Sequence, residues 1–107
     1  LNPLKELSSE EEYRKILSDS KPAILQFTAA WCGPCRQIKP ILEQMAQSNP
    51  TVKVFKVNID LPEVLPIVAD NNVTAVPTFV GIKHGSKTSF TGADKNQLVE
   101  MFSLLSN

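Results

Sequence analysis

The chain has only two cysteines, and they stand three positions apart in Trp31-Cys32-Gly33-Pro34-Cys35, beside its only tryptophan. Thiol-disulfide exchange needs a thiolate that a disulfide can reach and a second thiol near enough to release the mixed disulfide that forms. Cys32 and Cys35 fit those roles, the first as nucleophile and the second as resolving thiol. Pro34 is tolerated in the first turn of a helix, so the motif reads as a helix start. At that start the Cys32 sulfur meets the positive end of the helix dipole and unpaired N–H groups, which places its pKa below the roughly 8.5 of a free thiol. Pro34 has no N–H, which leaves that of Cys35 as the nearest donor.

Such a pair has two other uses. Half of a zinc site would need further ligands, and His84 is the sole histidine, in a distant turn, so no metal is expected. An inert structural pair is disfavoured by the position at a helix start, which lowers a thiol pKa where apolar burial would raise it. His84, before Gly85, reads as a turn residue.

The elements that must hold the cysteines follow from pattern. Ser8-Ser9-Glu10-Glu11-Glu12 offers two overlapping capping boxes ahead of Tyr13, Ile16 and Leu17, which predicts a helix ending near residues 18–20, with a short edge strand over 4–7 before it. Ala23 to Thr28 is an apolar run interrupted only by Gln26, the mark of a strand covered on both faces. In the helix that starts at the cysteines, Ile38, Ile41, Leu42 and Met45 form a stripe that extends back to Cys35. Cys35 is therefore expected to face the core and Cys32 to face solvent or a partner. Pro40, inside this helix, is expected to kink it.

A second buried-type strand is predicted over 52–59 and a third helix over 62–71, broken by Pro66. Residues 76–82 read as a strand, His84-Gly85 as a hairpin turn into a strand over 88–91, and Asp94 with Gln97 as the cap of a last helix burying Leu98, Met101, Phe102 and Leu105. This order gives an α/β domain with a central mixed sheet of four to five strands and helices on both faces.

With 107 residues, 42% of them hydrophobic, the chain is expected to form one domain over 1–107. Eleven basic residues balance eleven acidic ones and no basic stripe appears, so neither nucleic acid nor anionic lipid is implied as a partner. No apolar run reaches the roughly 18 residues of a membrane span, and Leu1-Asn2-Pro3-Leu4 lacks the blocks of a signal peptide. A cytoplasmic monomer is expected, although a first residue that is not Met is compatible with a processed leader or excision from a longer chain.

Trp-Cys-Gly-Pro-Cys after an apolar strand resembles the thioredoxin family, and the likeness covers nearly the whole chain. Lys56-Val57-Asn58-Ile59-Asp60 resembles the family's central strand ending, Val76-Pro77-Thr78 its cis-proline loop, and Thr91-Gly92-Ala93 the loop before its last helix. The resemblance implies a thioredoxin fold in which Pro77 is cis beside the dithiol and Val76 offers its backbone to an extended substrate. Together with Trp31, Gly33, Pro34, Ala75, Gly92 and Ala93, Val76 would make a mostly apolar platform around Cys32. It further implies a protein-disulfide reductase with no bound cofactor beyond the Cys32-Cys35 disulfide, acting on protein disulfides and recycled by a thioredoxin reductase or equivalent donor.

One position departs from the family pattern. The buried aspartate usual six residues before the first cysteine is Gln26 here, and Lys56, that acid's usual companion, is expected to lose its negative partner. An amide hydrogen-bonds but carries no proton at neutral pH, so proton transfer at Cys35 is expected to run through water or another group and resolution to be slower. The same replacement is expected to stabilise the fold, because burying an ionisable group is costly. It also keeps a second reading in view, a thioredoxin-like binding or adapter module with weak redox activity. A third, an oxidase or isomerase, fits Gly33-Pro34 less well, since that pair resembles the reducing branch.

Overall fold

The computed structural model describes residues 4–107; Leu1, Asn2 and Pro3, which enter the expectation about a signal peptide, lie outside the described residues. Strand β1 (Lys5–Glu6) and helix α1 (Glu10–Ser18) come first, then β2 (Ala23–Thr28), α2 (Gly33–Ser48) and β3 (Lys53–Asn58). A 3-10 turn (Pro62–Val64) leads into α3 (Leu65–Asp70), and β4 (Thr78–Lys83), β5 (Ser86–Thr91) and α4 (Lys95–Ser106) complete the order. The five strands form one sheet in the order β1-β3-β2-β4-β5, with β1, β3 and β2 parallel and β4 and β5 antiparallel.

Alternation along β2 divides the core. Leu25 and Phe27 join Tyr13 of α1 and Ile67 of α3 on one face, while Ile24 joins Ile38 and Leu42 of α2 and Leu98, Met101 and Phe102 of α4 on the other. Because side chains point to opposite faces in turn, Gln26 shares the α2/α4 face with Ile24. Stacked rings of Phe79 and Phe90, 4.9 Å between centroids, extend this layer across β4 and β5. At Gly81 the helix comes so near that an added Cβ would lie 3.1 Å from Leu105 Cδ1.

Local chemistry accounts for the boundaries. Asp94 caps α4 by accepting from the Gln97 N–H, as the spacing predicts, but the capping box is not closed: the Gln97 side-chain amide donates to the Asp94 carboxylate instead of accepting the Asp94 N–H. At α1 the cap is Ser9, but Glu12 reaches past it to the N–H and hydroxyl of Ser8. His84 and Gly85 both take positive φ, 51° and 79°, which a two-residue hairpin of type I′ requires, and β5 starts directly after them at Ser86.

Several expectations are corrected. β4 begins at Thr78 and not at residue 76, since Pro77 offers no N–H to a ladder and its peptide bond with Val76 is cis. Pro66 lies in the first turn of α3, where its missing N–H costs nothing, and the break falls before it as the 3-10 turn. β3 is less buried than its run of apolar residues suggests: its neighbour β1 is two residues long, and of the strand only Val57 is fully buried.

Candidate active site

The site is built where three loops meet the start of α2. Cys32 is the N-cap of α2, its Sγ accepting the N–H of Cys35 at 3.1 Å, and the two sulfurs are joined in a disulfide. The Cys32 N–H donates to Ala29 O at 3.2 Å, which ties the cysteine to the end of β2. Arg36 continues the anchoring, its guanidinium donating to Ala30 O at 2.7 Å.

Both cysteines are 3% exposed, packed with Ala29 and covered by Ile59 and Val76. The core position of Cys35 agrees with the helical stripe. The solvent-facing position expected for Cys32 is corrected: the disulfide holds its sulfur toward Cys35, and residues from two distant loops close over it.

The platform residues lie around this plug. Trp31 is 65% exposed, with its indole N–H donated to Asp60 Oδ2 at 2.9 Å, and Pro34, Ala75 and Ala93 are exposed. Gly33, Val76 and Gly92 are half-buried, and Pro77 is buried. Gly92 N–H donates to Pro77 O at 2.8 Å and fastens two of the loops together, while the Thr78 hydroxyl, donating to Ala75 O at 2.7 Å, braces the loop around Pro77 from within. Gly92 has φ of 108°, a conformation that favours glycine. Val76 lies outside the β4 ladder, so its backbone is not committed to the sheet.

Gln26 and Lys56 are elsewhere. Paired in register across β2 and β3, they line a pocket of about 280 Å³ that reaches Cys35 from the sheet side, away from the platform. Gln26 is buried, 4% exposed. Lys56 has not lost its negative partner, because Glu6 of β1 lies beside it in the sheet with a carboxylate oxygen 3.8 Å from Nζ. The sequence reading missed Glu6, and also Asp60 as the partner of Trp31. Among the described residues no three His, Cys, Asp or Glu side chains gather as a metal site, and no helix is long and apolar enough to cross a membrane.

The Thioredoxin family model matches residues 4–103. The chain belongs to the thioredoxin family. It is 42% identical over 89 residues to thioredoxin H-type 1 of Nicotiana tabacum, covering 82% of this chain and 69% of that protein. To the mitochondrial thioredoxin O1 of Arabidopsis thaliana it is 38% identical over 104 residues, covering 92% of this chain but 54% of the relative, so it spans about half that protein's length. The crystal structure of thioredoxin O1 in its oxidised state superposes with a TM-score of 0.88 at 37% identity, covering 99% of this chain and 100% of that one. The fold is thus the thioredoxin fold. Thioredoxins are thiol-disulfide oxidoreductases that need no bound cofactor, and the redox group here is the Cys32-Cys35 disulfide.

Proposed function

We propose that this thioredoxin domain, acting as a single unit over residues 1–107 and as a monomer, reduces protein disulfides. The Cys32 thiolate attacks one sulfur of the substrate disulfide, forming a mixed disulfide and releasing the other sulfur as a thiolate. Cys35 then loses its proton and attacks Cys32 Sγ; the bond from Cys32 to the substrate breaks and the second substrate thiolate leaves. Two electrons have passed to the substrate, and a thioredoxin reductase or an equivalent donor returns them to the pair. The observation that carries this reading is Cys32 as the cap of α2, with its sulfur on the Cys35 N–H: after reduction that donor and the helix dipole stabilise a thiolate.

Val76, with its backbone free of the sheet, fits an extended substrate segment, and Trp31, Gly33, Pro34, Ala75, Gly92 and Ala93 supply contact surface around it. The chemistry suits a reducing compartment, the cytoplasm on the sequence reading or the mitochondrion named for the O-type relative.

Gln26, a buried amide where the family pattern has an acid, favours a second reading, an adapter module with weak redox activity. Insulin reduction under excess dithiothreitol separates the two. A reductase accelerates it, Cys32→Ser and Cys35→Ser do not, and Cys35→Ser traps substrate as a mixed disulfide. An intact dithiol that gives no acceleration supports the adapter.

A further inference from the structure

Replacing the family's buried acid by Gln26 leaves Cys35 without the usual proton carrier, yet the sheet row behind it still holds a carboxylate. Register places Glu6 of β1, Lys56 of β3 and Gln26 of β2 side by side, and all three line the pocket that reaches Cys35. The other charged groups lining it, Arg36, Lys39 and Glu43, come from α2. Glu6 and Lys56 are each 40% exposed, so they sit at the solvent end of the pocket while Gln26 and Cys35 are buried at the other. Its volume of about 280 Å³ is several times the roughly 30 Å³ that one water takes up in the liquid, so a short chain of waters can span it.

We propose that Glu6 is the proton carrier for Cys35, acting through water in this pocket, with Lys56 positioning its carboxylate. The inference rests on the reductase reading. In the resolving step the Cys35 S–H bond breaks and the proton passes through water to the Glu6 carboxylate. The sulfur's electron pair forms the bond to Cys32 Sγ, and the electrons of the broken mixed disulfide leave on the substrate sulfur. Glu6 then gives the proton to solvent.

The alternatives in the pocket differ from Glu6 in chemistry or in their place relative to the sheet row. Lys56 and Arg36 are cations with no acceptor, as is Lys39, and Gln26 is an amide that does not ionise. Glu43 lines the same pocket but comes from α2, eight residues beyond Cys35 and outside the sheet row that holds Lys56 and Gln26. Glu6 is the carboxylate in the same sheet row as the residue it replaces. In effect the acid has moved from one side of Lys56 to the other.

The test measures insulin reduction between about pH 6 and 9 by the wild-type protein and by Glu6→Gln, Glu6→Asp and Glu43→Gln, with and without added acetate. General-base help is commonly worth about 10² to 10⁴-fold, and water softens its loss in a solvated pocket, so Glu6→Gln is expected to slow reduction at least about tenfold at the acid end. Its rate converges on wild type as pH rises, and acetate restores it in proportion to concentration. Glu6→Asp keeps most of the rate, Glu43→Gln keeps all of it, and Gln26→Asp added to Glu6→Gln recovers it. Glu6→Ser, which removes the carboxylate with a different bulk, behaves as Glu6→Gln does and serves if the latter does not fold. The proposal is overturned if Glu6→Gln or Glu6→Ser keeps the wild-type rate and pH profile, or if it slows equally at every pH with no response to acetate. A wild-type protein that does not reduce insulin overturns the reductase reading itself; an active one with indifferent Glu6 variants overturns only this inference.

Discussion

Two polar clusters flank the sheet, and they are finished to different degrees. On the α1/α3 face the Tyr13 hydroxyl donates to Asp70 and accepts from Lys87 at 2.7 Å and from Asn71 at 3.1 Å. One proton and two lone pairs are all a hydroxyl has, so this one is saturated. On the α2/α4 face Lys56 and Glu6 stand 3.8 Å apart, longer than a hydrogen bond, at the mouth of the pocket behind Cys35. A saturated cluster fixes elements in place, here α1, α3 and β5; a loosely paired one leaves its groups free to exchange protons. Stability and chemistry are thus assigned to opposite faces of one sheet.

Changing the sulfur chemistry gives the largest effect expected at the redox site. Cys35→Ser is expected to reduce turnover to background and to accumulate a mixed disulfide at Cys32, seen as a mass shift under nonreducing conditions, while the midpoint of urea unfolding in the reduced state changes little. On the other face the outcome is reversed. Tyr13→Phe keeps a ring that is fully buried but strips partners from Asp70, Lys87 and Asn71, and should destabilise by about 1–3 kcal/mol in urea unfolding with disulfide reduction unchanged. A Tyr13→Phe protein that lost turnover in proportion to stability would erase the division between the faces.

Much of this division was legible in the residues and much was not, for a physical reason. Caps such as Asp94 with Gln97, the buried stripe of α4 and the His84-Gly85 hairpin are local, and their chemistry is complete within a few positions. The Val76-Pro77 cis bond was legible only through family resemblance. Lys87 and Tyr13 are 74 positions apart, and Glu6 meets Lys56 through a strand of two residues that has almost no pattern to read. Cys32 was placed at a helix start correctly, and the resemblance put Val76 beside it, but the approach of Ile59, from the loop after β3, is announced by no spacing.

Two smaller effects sharpen the comparison. Gln26→Asp puts a buried carboxylate into the pocket beside Glu6 and Glu43 and is expected to lower stability at pH 7 by about 1–2 kcal/mol, offset in part by Lys56; unfolding free energies of the two reduced proteins measure it. Equal stability would mean the pocket is wet enough to solvate the acid. Smallest is the acid response of the other face. The Tyr13 hydroxyl first, and Lys87 second, hold the Asp70 carboxyl below its ordinary value of 3.8. A depressed folded-state pKa contributes stability that is present above the ordinary value and is lost as pH falls through the folded one. Wild type should therefore lose stability more steeply below about pH 4 than Asp70→Asn does, a difference kept small by the partial exposure of the pair. Parallel acid-unfolding curves would remove Asp70 from the saturated cluster.

The central claim is that Cys32 and Cys35 form a reducing dithiol, and its most direct test is the reduction potential of the pair, measured by equilibration with a dithiol buffer and thiol counting. A value near the roughly −270 mV of thioredoxins is predicted. A value near the −120 to −180 mV, roughly, of oxidising and isomerising dithiols would contradict it.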